Sequence, residues 1–286
     1  MRCKALILLA ITALVGLPPQ AMADINLGTA GNFAVLAGST VTNTGNTVIN
    51  GGDVGLSPGS SVTGFGPGII VAPYTMHVAD AVAGQAQTDL TTAYNQAAGL
   101  APTMTTLTYS DLGGHTLTPG VYAFTTSEIG LTGALTLNDL GNPNAQFVFQ
   151  IGDTLITASN SSVVTINSGS STTPGCDVFW QVASSATLGT YSTFEGHILA
   201  HTSISMNTGA NIVNGSALAS TGAVTLQDNS ITNCETAAAA AAAAAPEPST
   251  TTIALLGGAL MGLPTFLKRL RARGRLKSSA GSPTNR

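Results

Sequence analysis

The chain has 286 residues, 44% hydrophobic and only 8% charged, against about 25% charged in an ordinary soluble domain. All nine Lys and Arg sit at positions 2–4 or 268–286, and twelve of the thirteen Asp and Glu lie from Asp24 to Glu235. A body without Lys or Arg excludes nucleic-acid binding, phosphate chemistry built on those cations and Lys/Arg–acid salt bridges, while its apolar content argues against disorder.

Residues 1–23 read as a secretory signal peptide. Arg2 and Lys4 precede a short apolar run, and Ala21-Met22-Ala23 forms an A-x-A cleavage site. The mature chain is expected to begin at Asp24, and residues 24–236 are expected to form one domain. From Asp24 onward, short β-branched and apolar runs alternate with Gly, Asn and Asp. Such runs occupy 33–36, 146–151, 178–182 and 217–219 and read as strands. One stretch differs. Over 76–98, Val78, Val82, Ala86, Leu90, Tyr94 and Ala97 recur every three or four residues. This predicts a helix capped by Thr75, ended by Gly99 and Pro102, and laid against a sheet.

A weak repeat runs through the strands: Thr or Ser, two residues, then Thr, Ser or Asn, then an apolar residue. Copies are Thr44-Gly45-Asn46-Thr47-Val48, Ser159-Asn160-Ser161-Ser162-Val163, Thr190-Tyr191-Ser192-Thr193-Phe194 and Thr208-Gly209-Ala210-Asn211-Ile212. Pro58-Gly59-Ser60-Ser61-Val62 and Gln227-Asp228-Asn229-Ser230-Ile231 are degraded copies. The later copies start 18 or 19 residues apart, the length of one turn of a β-solenoid. At about 3.3 Å per residue a turn has a perimeter near 60 Å, a triangular coil stacked at about 4.8 Å. The terminal apolar residue would point inward. The Thr, Ser and Asn residues Thr44, Thr47, Ser159, Ser162, Thr190, Ser192, Thr193, Thr208, Asn211 and Ser230 would form outer columns. An overlapping frame, Thr157-Ala158-Ser159-Asn160, competes with the one that uses Ser159 and Ser162.

Residues 237–249 form an Ala/Pro spacer containing Pro246-Glu247-Pro248, and 250–286 a short apolar stretch followed by basic residues. A basic end marks the cytoplasmic side of a span. The order of these features resembles the PEP-CTERM sorting signal. That resemblance implies processing by an exosortase-type enzyme, transient membrane contact, and a Gram-negative host that displays the body at its surface or in its matrix. Cys176 and Cys234 remain after the leader is removed, and in an oxidising compartment they suggest one disulfide.

Little else carries chemistry. Glu195 and His197 would share a strand face, with His201 four residues on, but a metal site needs further ligands, so no metal and no cofactor are expected. His77 and His115 read as isolated, and Trp180 as core. A β-helix carbohydrate enzyme would need paired carboxylates with a cationic or metal partner.

Several phrases of the body are long and specific. They are Gly51-Gly52-Asp53-Val54-Gly55-Leu56-Ser57-Pro58-Gly59, the stretch 80–94, Leu117-Thr118-Pro119-Gly120-Val121-Tyr122, Phe147-Val148-Phe149-Gln150-Ile151 and Val178-Phe179-Trp180-Gln181-Val182. With them, 27–232 resembles the microbial ice-binding domain family. The resemblance implies a mainly β fold, a discontinuous right-handed β-solenoid with one long α-helix alongside. It also implies no enzyme activity, with an ice crystal surface as the ligand and one flat face as the site. The family's motif, Thr, Ala or Gly, any residue, then Thr or Asn, is met by Thr208-Gly209-Ala210-Asn211 and Thr44-Gly45-Asn46-Thr47, and departed from at Tyr191. A non-catalytic adhesin or matrix protein on the same scaffold is the alternative, and a solvent-facing Tyr191 would favour it.

Overall fold

The structure, a computed structural model, describes residues 24–103, 109–124 and 128–234. The expected leader, spacer and sorting tail lie outside the described residues. The described chain is mainly β, and its paired strands run parallel, with one long helix. The strands form three rows that the chain visits in rotation. The first row holds, in spatial order, β9 (Gly120–Phe124), β12 (Phe147–Ile151), β15 (Val178–Val182), the second halves of β17 (Thr193–Ala200) and β19 (Asn211–Ala219), β1 (Phe33–Ala37), β4 (Asp53–Leu56) and β7 (Met76–Val78). The second is a separate seven-stranded sheet: β10 (Glu128–Leu131), β13 (Thr154–Thr157), β16 (Ala186–Leu188), β18 (Ile204–Met206), β20 (Val224–Gln227), β2 (Thr40–Thr44) and β5 (Ser61–Thr63). The third holds β8 (Thr116–Leu117), β11 (Ala134–Asn138), β14 (Ser162–Ile166), the first halves of β17 and β19, β21 (Ser230–Thr232), β3 (Val48–Asn50) and β6 (Ile69–Ile70).

The order in space is not the order in sequence. Strands β1, β2 and β3 pair with β19, β20 and β21, so the start of the body lies against its end. The chain then reaches the far edge of the first row at β7 and crosses to the opposite edge through helix α1 (Ala81–Gly99). Nineteen helical residues span about 28 Å, close to the roughly 34 Å of seven strand spacings in that row.

The helix begins later than the periodicity predicts. Met76–Val78 is instead a strand paired with β4, and the cap is Asp80, not Thr75. Asp80 is extended, and its carboxylate accepts from the Ala83 N–H at 2.8 Å, satisfying an orphan donor of the first turn. The end at Gly99 is as expected. Ala83, Ala86, Leu90, Ala93 and Ala97 are buried, the last four against Leu36, Val121, Val148, Phe179, Leu199 and Leu218 of the first row, whereas Val82 is exposed. Gln150 Nε2 donates to the carbonyls of Ala97 and Leu100 at 2.7 and 2.8 Å, which closes the last turn.

Inside the rows, parallel register stacks like on like. Tyr122, Phe149 and Trp180 are cross-strand neighbours, with ring centroids 5.5 and 3.9 Å apart, and Phe194 follows 4.8 Å from Trp180. Trp180 is core, as expected, and its indole N–H donates to the Glu195 carbonyl at 3.0 Å. Such aromatic contacts contribute on the order of 1 kcal/mol each beyond area burial. Cys176 and Cys234 are bonded. Closing that loop stabilises by about 4 kcal/mol through the unfolded chain.

Candidate functional site

The second row has a strict inside–outside alternation. Val41, Val224, Ile204, Ala186, Leu155 and Ile129 are buried, as are Leu226, Met206, Leu188 and Leu131 two residues on. The residues between them face out. Register puts them in one column: Thr63 beside Thr42, Thr42 beside Thr225, Thr225 beside Ser205, Ser205 beside Thr187, Thr187 beside Ile156, and Ile156 beside Gly130. The hydroxyls of Thr42 and Thr225 are 3.4 Å apart. Seven strands at about 4.8 Å make a column some 29 Å long. A flanking column two residues earlier begins with Ser61 beside Thr40 and ends with Thr154 beside Glu128. Ser203 in it turns its hydroxyl to the Ala223 N–H at 3.1 Å.

Four of the predicted residues line the rim where the second row turns into the third. Thr44 pairs with Gln227, and Thr208 donates to Gln227 Oε1 at 3.2 Å. Backbone bonds from Tyr191 to Thr208 and from Asn160 to Thr190 continue the column to Thr190 and Ser159. The same bond at Asn160, with Ser162 beside Thr193, selects the Ser159/Ser162 frame. Thr157 is buried, its hydroxyl accepting from the Gly189 N–H at 2.8 Å.

Past the turn lies another column, on the third row: Ala134, Ser162, Thr193, Asn211, Ser230, Val48 and Ile69. Four predicted residues fall here, so the ten do not share one surface. This row is also less uniform, with Ile69, Val164 and Ile166 exposed on it.

Two predicted residues touch no solvent. Thr47 is fully buried and donates to Asn43 Oδ1 at 2.6 Å; Ser192 is buried and donates to the Gly189 carbonyl at 2.7 Å. Ser192 holds the inward position of its turn. Thr47 arrives there because the first copy contains one extra residue: Thr44 pairs with Gln227, but Val48, not Thr47, pairs with Ser230. Val48 is therefore turned outward, 37% exposed, and Ile49 takes the core position expected for it. The 58–62 copy is also displaced, since Ser61 and Val62 lie in the second row and not at the turn.

The second residue of each turn carries a left-handed backbone: Gly45, Asn160, Tyr191, Gly209 and Asp228 have φ between +49° and +85°. Gly and Asn tolerate this; a ring does so at a cost.

Sequence reasoning missed the main column of the second row. Its signal was present as period-two pairs, Thr40-Val41-Thr42, Ser203-Ile204-Ser205, Ser185-Ala186-Thr187 and Ser61-Val62-Thr63, the spacing a strand imposes. A search at period three finds turns instead.

The remaining candidates do not converge on chemistry. A register shift at Gly196, φ +100°, separates Glu195 from His197. Glu195 accepts from the Thr165 N–H and hydroxyl, and burial raises its pKa, partly offset by those bonds. His197 is buried, hydrogen-bonded to Ser216 Oγ at 2.7 Å. Burial pushes it down to about 4, against a backbone bond at Cys176, so it is neutral at pH 7. His201 is exposed beside Tyr94. His77 is not isolated: its Nδ1 is 2.8 Å from Asp80. His115 stacks on Tyr109 at 4.1 Å. Among the described residues no group of three His, Cys, Asp or Glu is placed to hold a metal ion.

Residues 35–232 match the profile of the Ice-binding-like family. The chain is 52% identical to an ice-binding protein of Nostoc sp. (strain HG1) over 94% of its own length and 97% of that protein. Two solved structures resemble it. An ice-binding protein from an Antarctic biological consortium shares 43% identity and a TM-score of 0.67, covering 77% of this chain and 96% of that one. The ice-binding protein of the Antarctic ascomycete Antarctomyces psychrotrophicus shares 41% identity and a TM-score of 0.67, covering 73% and 98%. With the match spanning most of the chain and a relative more than half identical over nearly its whole length, this chain belongs to the Ice-binding-like family.

Proposed function

We propose that this protein is a non-catalytic ice-binding protein, and that it adsorbs to ice through the outer surface of the seven-stranded sheet and its Thr rim. The scaffold is read as a discontinuous right-handed β-solenoid of triangular coils, one row of strands to each face. The observation that carries the site is the registered column Thr63, Thr42, Thr225, Ser205 and Thr187. Each Thr offers a hydroxyl that anchors water and a methyl that water can cage. β-Branching restricts its rotamers, so little entropy is lost on adsorption, and many weak contacts act together on a crystal. The column itself bears no charge. The rim residues Thr44, Ser159, Thr190 and Thr208 extend it. Across the turn, Ser162, Thr193, Asn211 and Ser230 belong to a different plane.

Export follows from the leader-like residues 1–23. Retention at the surface or in the matrix of a Gram-negative cell follows from the sorting-like tail with Pro246, Glu247 and Pro248, through an exosortase-type enzyme and transient membrane contact. The test of function is thermal hysteresis and ice recrystallisation inhibition by the protein and by Thr187→Tyr and Thr225→Tyr. Both variants should keep the wild-type melting temperature and lose activity. Folded variants with full activity would move the site elsewhere. A wild-type protein that leaves ice untouched would favour the adhesin reading, for which the exposed ring of Tyr191 is the supporting observation.

A further inference from the structure

The corner where the third row passes into the first gathers carboxyl groups from neighbouring circuits. Asp139 directly follows β11, Gln146 directly precedes β12, and Asp177 directly precedes β15. β12 and β15 pair with Phe147 beside Val178, and the Phe147 N–H donates to the Asp177 carbonyl at 3.0 Å. Phe147 and Val178 both lie in the core. By strand alternation Gln146 and Asp177 turn together to the other side, on strands about 4.8 Å apart. The loop that carries Asp139 lies against the loop that ends at Asp177. The Asp139 N–H donates to the Ile166 carbonyl at 3.0 Å and the Gly141 N–H to the Asn167 carbonyl at 2.7 Å, and the Asp139 carboxylate accepts from Ser168. The bond from Cys176 to Cys234 pins the end of the second loop.

Two oxygens of this corner have no donor. Asp139 is 4% exposed and Gln146 8%, and among the described residues nothing donates to Asp139 Oδ1 or Gln146 Oε1. A buried acceptor left unpaired is costly, and a bound ion is one of the few things that accounts for it. Burial raises the pKa of Asp139 and of Asp177; the charges of Asp24 and Asp139 raise Asp177 further, and that of Asp139 adds to the rise at Glu195. No Lys or Arg occurs between Asp24 and Cys234 to answer these acids. His197, stacked on Phe179, is neutral at pH 7 and adds no positive charge. The donors offered are carboxylate and amide oxygens, without nitrogen or sulfur, which suits Ca²⁺ and not zinc.

We propose that this corner is a Ca²⁺ site, with Asp139 Oδ1, Gln146 Oε1 and the Asp177 carboxylate as ligands and Glu195 as a further negative charge nearby. Only two of the ligands are acids, so the site needs no group of three His, Cys, Asp or Glu. Water completes the roughly six to eight oxygens that Ca²⁺ takes. The ion ties the 139–146 loop to the 167–177 loop and neutralises acids that the body cannot pair.

The experiment titrates EDTA-treated protein with CaCl₂ and, separately, MgCl₂ at constant ionic strength, by calorimetry and by thermal unfolding. Ca²⁺ should half-saturate one site at about 0.1–1 mM, the range of extracellular modules. At about 10 mM it should raise the melting temperature by about 4 °C. Mg²⁺, which keeps its waters and demands a strict octahedron, should bind about ten-fold more weakly or less. Asp139→Asn should weaken Ca²⁺ binding about ten-fold, and Gln146→Glu, which adds a charge to the ligand set, should tighten it several-fold. Asp153→Asn removes an acid from another part of the body and should keep the full response, which separates a site from general screening. The proposal is overturned if wild-type protein takes up no Ca²⁺, a result that calorimetry gives without any variant. It also fails if Asp139→Asn binds as wild type does, or if Asp153→Asn loses the response equally. Protein that ignores Ca²⁺ and is as stable with Asp139→Asn as without it would assign the corner to a proton instead.

Discussion

The outer sides of the first and second rows are built from the same circuits and the same parallel register, yet they have opposite fates. On the first row the outward positions are Leu36, Val121, Val148, Phe179, Leu199 and Leu218, and the helix covers them. On the second they are Thr42, Thr63, Thr187, Ser205 and Thr225, and they stay open. Strand periodicity fixes which residues point out, but says nothing of what they meet. Apolar outward residues gain about 25 cal/mol per Å² when covered, enough to hold a helix whose buried stripe is mostly Ala. Hydroxyl-bearing ones gain nothing from a cover and lose their water. One scaffold thus makes a buried interface and a bare sheet by changing only the outward residue.

The largest test of that contrast is Leu218→Ala. It lies under the helix with no exposed surface and should cost about 2–5 kcal/mol, read as a fall in the urea midpoint, while ice activity per folded molecule is unchanged. The second test uses pH. The imidazole of His197 sits at the edge of the covered row with a pKa near 4 in the fold, against about 6.5 unfolded. Its contribution is complete above pH 6.5 and lost as pH falls towards 4, about 3 kcal/mol at most. Asp139, Asp177 and Glu195, all raised by burial, act oppositely, gaining as they protonate. The His197 contribution lowers the urea midpoint as pH falls from 6.5 to 4.5, so over that window a folded His197→Gln should show a smaller fall, or a larger rise, than the wild-type protein. The open face carries no such group in its main column and should keep its ice activity per folded molecule across the window.

A smaller effect is expected at Gly209→Ala. With φ +70° and the Tyr191 ring in the way, it should cost about 1–2 kcal/mol. The steric part should be relieved by Tyr191→Gly in the same chain. The smallest stability effect belongs to Thr225→Leu. On an open, half-buried position it should change stability by less than about 0.5 kcal/mol, yet lower hysteresis by removing a hydroxyl from the column. A large stability change there would mean the second row is covered after all.

The sequence alone determined a good deal. Short β-branched runs between Gly, Asn and Asp place strands, because those residues suit a pleated surface and turns respectively. Ala and Leu at helical spacing place one helix, though Asp80 out-competes Thr75 for its cap and Met76–Val78 is drawn into the sheet by β4. The two cysteines specified a bond, and the long phrases specified a family. Tertiary structure decided the rest, for a physical reason: a column is a relation between circuits, and its register depends on every residue inserted in the turns between them. One extra residue in the 44–48 turn carries Thr47 from the surface into the core and Val48 the other way. The inward position of its turn buries Ser192. A register shift at Gly196 parts Glu195 from His197. Motif letters cannot show such one-residue slips, and each slip exchanges inside for outside because the strand period is two.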